Sequence, residues 1–137
     1  MKFLPVIFFL CLSTICFGSE IEERAEVRAL AATAFKNSDF AELERQAAEY
    51  LLNESKTESG TWKLPFFYRG IGIEGIKFEN QEGSEWANAI GKFDSWAQEY
   101  PESATQYVAR GNALIQRAYR FRGYGWSSGI AEQDRTN

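Results

Sequence analysis

Four stretches of this chain repeat apolar residues every three or four positions, and none of these stripes can be buried by its own segment. Val27, Leu30, Ala31, Ala34 and Phe35 form the first, and Phe40, Leu43, Ala47, Tyr50 and Leu51 the second. Trp86, Ala89, Ile90, Phe93, Trp96, Ala97 and Tyr100 form the third. At about 100° per residue, Tyr107, Val108, Leu114, Ile115, Ala118 and Tyr119 fan across one side of the fourth. A helix with one apolar face must bury it on another element. The chain is therefore predicted to be all-α, with about four helices paired as two αα-hairpins in a tetratricopeptide-like or irregular bundle.

The breaks between the stripes carry their own signals. Asn37-Ser38-Asp39 is a short turn, with Asp39 as N-cap and Glu42 three residues on in a capping-box-like pair. Ser103 and Gln106 form a second such pair after Pro101, which stops the third helix. Glu20, Glu22, Glu23 and Glu26 crowd the start of the first helical pattern, where they complement the helix dipole. Between the two hairpins, Pro65 and glycines 70, 72, 75 and 83 argue against a continuous helix, while Phe66, Phe67, Ile71, Ile73, Ile76 and Phe78 are too apolar for a free linker. An ordered connection is expected there, and its spacing allows a short β-hairpin through Gly70 to Phe78.

The first residues fit a secretory signal peptide. Lys2 precedes an apolar run from Phe3 to Phe17, and Cys16 and Gly18 place small residues before a cut at Ser19. The run is shorter than the roughly 20 residues that span a bilayer, so a retained membrane anchor is the second choice. The expected organisation is a leader over 1–18, a helical domain over 19–126, and a tail over 127–137 that reads as a truncated continuation. The expected location is secreted or periplasmic, with no stable membrane span after cleavage.

Cysteine and histidine usage limits the chemistry. Both cysteines, Cys11 and Cys16, fall in the leader, and the chain has no histidine. Ser-His-Asp and Cys-His catalysis and the usual imidazole or thiolate metal sites are thereby excluded from the exported part, and no cofactor or metal is expected. The net charge of −4, made more acidic by loss of Lys2, argues against nucleic acid as a partner. No calcium-loop motif occurs.

The stretches SDFAELERQAAEYLLNES, SGTWKLPFFYRGI and FDSWAQEYPESATQYVARGNALIQRAYRFRGYGW resemble an uncharacterised bacterial family, domain of unknown function 4034. The resemblance spans Val27 to Trp126. Its distinctive pieces are Gly60 to Leu64, Trp96 with Pro101 and Ser103, and Arg122-Gly123 followed by Gly125. It implies a fold, with further tetratricopeptide-like helices beyond this point in other members, and it implies no catalytic residues.

Candidate functional residues come from the connections. Trp62, Tyr68 and Arg69 in the Gly-aromatic segment, with Arg122, Tyr124 and Trp126 at the end of the last helix, are the expected contact surface. Gly123 also reads as a helix-ending C′ glycine, which gives Arg122 and its aromatic neighbours a structural role of their own. Arg110, Arg117 and Arg120 lie opposite the apolar side of the last helix and are expected to pair with the acid-rich first helix. The expected function is a non-catalytic binding or scaffold module whose partner is another envelope protein. The alternative is a glycan- or peptidoglycan-active enzyme using Glu74, Glu79, Glu82 and Glu85. The sequence is silent on oligomeric state.

Overall fold

The computed structural model describes residues 4–76 and 84–122, with side chains over 20–76 and 84–121. The described chain is all-α, with five helices and no strand. They are α1 (Leu4–Lys36), α2 (Phe40–Leu52), α3 (Leu64–Arg69), α4 (Ser84–Glu99) and α5 (Ala104–Arg122). A π-helical segment, Gly70–Gly75, continues α3 without a break. Among the described residues no helix is long and apolar enough to cross a membrane.

The first three stripes are buried largely as expected. Val27, Ala31, Ala34 and Phe35 of α1 meet Phe40, Leu43, Ala47 and Tyr50 of α2 and Ala89, Phe93 and Trp96 of α4. Phe40 stacks on Trp96 with ring centroids 5.8 Å apart, and Phe35 lies 4.8 Å from Phe93. Leu30 and Leu51 are exceptions and stay exposed. Asp39 caps α2 by accepting from the Glu42 backbone N–H at 3.1 Å. The reciprocal half of the capping box is not made, because the Glu42 carboxylate is taken by Arg45 and Gln46.

Within the connection between the hairpins, residues 64–75 are helical, which corrects the expected break and the β-hairpin from Gly70; its far end at Phe78 lies outside the described residues. Pro65 lies in the first turn of α3, where a missing N–H costs nothing. The glycines act as contact points instead of breaks. A Cβ on Gly70 would stand 2.8 Å from the Arg28 Cα of α1, and one on Gly72 would stand 2.9 Å from the Asn112 Oδ1 of α5. Missing side chains at these two positions let the α3–π rod lie backbone to backbone against α1 on one side and α5 on the other. The rod is the centre of the fold, with Phe67 and Ile71 fully buried in it. The one isolated β-bridge among the described residues joins Lys56 to Trp62 in the loop ahead of α3.

The acid-rich start of the first helical pattern also has another role. Glu20, Glu22, Glu23 and Glu26 lie inside α1, not in its first turn. Glu20 accepts from the Thr57 hydroxyl at 2.9 Å and the Ser59 N–H at 3.0 Å, and Glu23 accepts from the Glu58 N–H and pairs with Lys63 at 2.6 Å. These acids fasten the α2–α3 loop to α1.

The last helix is turned the opposite way from expectation. Gln106, Ala109 and Ala113 are fully buried, whereas Tyr107, Val108, Leu114, Ile115, Ala118 and Tyr119 face outward. The space beside the rod's glycines admits only small residues, with Ala113 against Gly72. Two of the arginines pair with α4 and not with α1: Arg110 bonds Asp94 at 2.9 Å, and Arg117 stands 4.8 Å over the Trp86 ring. Ser103 caps the helix by accepting from the Thr105 N–H, but buried Gln106 makes no hydrogen bond among the described residues, so this capping box is also half formed.

Candidate binding groove between α3 and α5

Where α3 runs past α5, a cavity of about 460 Å³ opens between them. Leu64, Pro65, Tyr68 and Arg69 line it from α3, and Asn112 and Gln116 from α5. The spacing explains the convergence. Residues 64, 65, 68 and 69 share one helical face, and 112 and 116 are one turn apart on another.

Tyr68 is half-buried and held in place. Its ring meets Phe67 edge-on at 5.1 Å, burial pushes its phenol pKa up, and a hydrogen bond with Thr105 partly offsets that rise. Arg69 is exposed at the mouth. The Asn112 Oδ1 is buried and makes no hydrogen bond among the described residues. The groove thus combines an apolar floor, an aromatic wall, two primary amides and a guanidinium. That set suits recognition of polar polymers by hydrogen bonding, since a Gln side chain both donates and accepts and an Asn NH2 donates.

The expected surface is brought together only in part. Tyr68 and Arg69 share the groove, whereas Trp62 does not line it. Trp62 is partly exposed on the preceding loop, where the Lys56 Nζ stands 4.7 Å over its ring. Arg122 is the last residue of α5, and its side chain, together with Tyr124 and Trp126, lies outside the described residues. Asn112 and Gln116 were not anticipated. The sequence signal for them is their one-turn spacing on the side of α5 opposite to Arg110 and Arg117.

The carboxylates of the alternative, enzymatic reading are differently placed. Glu74 forms an ion pair with Arg28 at 3.0 Å, Glu79 and Glu82 lie outside the described residues, and Glu85 lines a separate cavity of about 290 Å³ beside Phe35, Ile76 and Lys92. The Lys92 ammonium there donates to the Phe35 and Lys36 carbonyls, closing the end of α1, and burial lowers its pKa. A general acid needs a carboxyl pKa raised toward neutrality. The resolved shifts among described glutamates run downward. Burial raises Glu20, but the Ser59 backbone and hydroxyl, Thr57 and Arg24 overcome this and bring it to about 2. Arg45 and Gln46 bring Glu42 to about 2, and Lys63 and the Glu58 N–H lower Glu23. No cluster of three histidine, cysteine or acidic residues suited to a metal occurs among the described residues. In comparisons with protein-family models, curated proteins and solved structures, no match to this chain was found.

Proposed function

We propose that the protein is a secreted or periplasmic binding module that holds an extended peptide segment of another envelope protein in the α3–α5 groove. One observation carries this reading: Tyr68, Arg69, Asn112 and Gln116 converge on a cavity of about 460 Å³, within the size range of ligand sites. Asn112 and Gln116 would pair with successive peptide amides, Leu64 and Pro65 would take an apolar side chain, and Arg69 would meet a carboxylate. Binding would proceed through shape and hydrogen bonds, without covalent chemistry. The export signal at Lys2 to Gly18 supports the location. The two helix pairs, α1–α2 and α4–α5, are read as tetratricopeptide-like hairpins, an architecture whose grooves take up extended peptides.

The test is site-specific photo-crosslinking in the intact envelope. A benzophenone amino acid at position 116 should yield a defined adduct that disappears when Arg69→Ala is added. The same probe at exposed position 48 on α2 should yield none. Identical adduct patterns from the two positions would refute the groove as the binding site.

A further inference from the structure

The outward side of α5 is an exposed apolar feature that the groove leaves unused. Tyr107 is 62% exposed, Ile115 54%, Val108 49% and Leu114 48%. These four side chains form a continuous face, because 107 and 114, and likewise 108 and 115, are seven residues apart, two helical turns. Between the two rows runs a line of small residues at the same interval: Ala104, Gly111 and Ala118. Together they present apolar surface on the order of 400 Å², the size of the largest single patch on a typical monomer, which is often functional.

Gly111 is the second observation. It sits in the middle of a 19-residue helix, where glycine weakens the helix, yet a Cβ there would meet nothing within 4 Å. Gly70 and Gly72 are required by contacts within the chain, whereas nothing in the described fold requires Gly111. A glycine at the centre of an exposed apolar helix face serves the close approach of another helix.

The pattern is self-complementary. Let a two-fold axis pass through Gly111, so that α5 meets an antiparallel copy of itself. Tyr107 then falls against Ile115 of the second copy, Val108 against Leu114, and Ala104 against Ala118. Each large residue meets a branched one, and each small residue meets a small one. Arg110 lies on one flank of the seam, off its apolar rows, where Asp94 of the same copy already compensates its charge. The antiparallel arrangement also opposes the two helix dipoles favourably. With the surrounding backbone, the seam would bury roughly 1,000 Å² over both copies, about the lower limit for a specific interface. An isologous contact of this kind closes on itself.

We infer that the protein forms a symmetric dimer in which the α5 helices pack antiparallel across Gly111. The test uses residues 19–137, which contain no cysteine, so that any introduced cysteine is the sole thiol. Sedimentation equilibrium at micromolar concentration should give the mass of a dimer, and Ile115→Glu should weaken dimerisation at least tenfold while leaving the helical circular dichroism unchanged. Leu114→Cys should crosslink to itself with a short bis-maleimide, and Ala48→Cys on α2 should not. If Ile115→Glu misfolds, Val108→Ala with Ile115→Ala gives the same comparison. A monomer at all concentrations would overturn the inference, whether its α5 face proved to bind anionic phospholipid vesicles or to be released by removing residues after Arg122. A dimer indifferent to Ile115→Glu, or crosslinking equally at position 48, would overturn it as well.

Discussion

The Trp96 indole N–H donates to the Glu44 Oε1 at 2.8 Å, joining α4 to α2 across 52 positions of sequence. The Ser103 hydroxyl donates to the same oxygen at 2.5 Å. One carboxylate oxygen therefore joins the second helix, the fourth helix and the N-cap of the fifth. Trp96 is fully buried, so its N–H has no route to water if this acceptor is lost. Glu44→Ala should cost about 2 kcal/mol, the desolvation penalty of a stranded buried donor plus part of a cap. Urea unfolding would register this as a lower midpoint at unchanged slope. Glu44→Gln, which keeps an acceptor, should recover most of the loss. Equal stabilities for the Ala and Gln variants would mean that the carbonyl-type oxygen is not what Trp96 needs.

Gly70→Ala should destabilise by about 1–3 kcal/mol, because the added methyl must displace the backbone of α1 at Arg28. Gly91→Ala is the matched control. Gly91 lies within α4, exposed, and its Cβ would meet nothing within 4 Å. That substitution should stabilise by up to about 1 kcal/mol through helix propensity alone. Thermal melts of the two variants should move in opposite directions. A Gly70→Ala protein as stable as the parent would show that the rod does not lie against α1 as described.

These glycines also mark what was legible in the sequence. α4 could be read directly because its buried side consists of Ala89, Phe93 and Trp96, so its apolar side and its buried side coincide. In α5 they are opposed. Packing against a glycine-lined rod selects Ala109 and Ala113 for their size, and the large apolar residues are left outside. Periodicity reports where apolar side chains point, and here they point away from the core. For the same reason α3 and the π segment were read as an interruption: glycine signals chain freedom in a sequence, but at Gly70 and Gly72 it answers a steric demand from residues about 40 positions away. The groove was half visible. Tyr68 and Arg69 stood out in an aromatic segment, whereas Asn112 and Gln116 were ordinary polar positions until α3 was placed beside them.

The attachment of the α2–α3 loop should fail in acid. The folded pKa of Glu20 is about 2, below its ordinary value of 4.5, because the hydrogen bonds from Ser59, Thr57 and Arg24 outweigh the opposing effect of burial. A depressed carboxyl contributes stability that is complete above the unfolded pKa and is lost as pH falls through the folded one. The loss should therefore begin near pH 4.5 and finish near pH 2. Glu23, lowered by Lys63 and the Glu58 N–H, acts in the same direction. Hydrogen exchange of the Ser59 amide, which donates to Glu20, should accelerate over this window beyond the intrinsic pH trend. In Glu20→Gln the window should flatten, with protection reduced already at pH 7. If both proteins showed the same acid profile, the loop would be held by something other than this carboxylate.

Gln106 tests whether the buried side of α5 is as tightly sealed as its neighbours indicate. The residue is fully buried, and neither its Oε1 nor its Nε2 makes a hydrogen bond among the described residues. A polar group in that condition opposes folding, and replacing it with an apolar side chain of similar shape removes the penalty. Gln106→Met preserves length and flexibility and should stabilise by about 1–2 kcal/mol. Gln106→Ala separates the two contributions, since it removes the unsatisfied amide but opens a cavity, and it should fall below the Met variant. Guanidinium unfolding of the three proteins should rank Met above the parent. A Met variant less stable than the parent would mean that the amide has a partner, such as an internal water, and that Gln106 occupies the core because it is needed there.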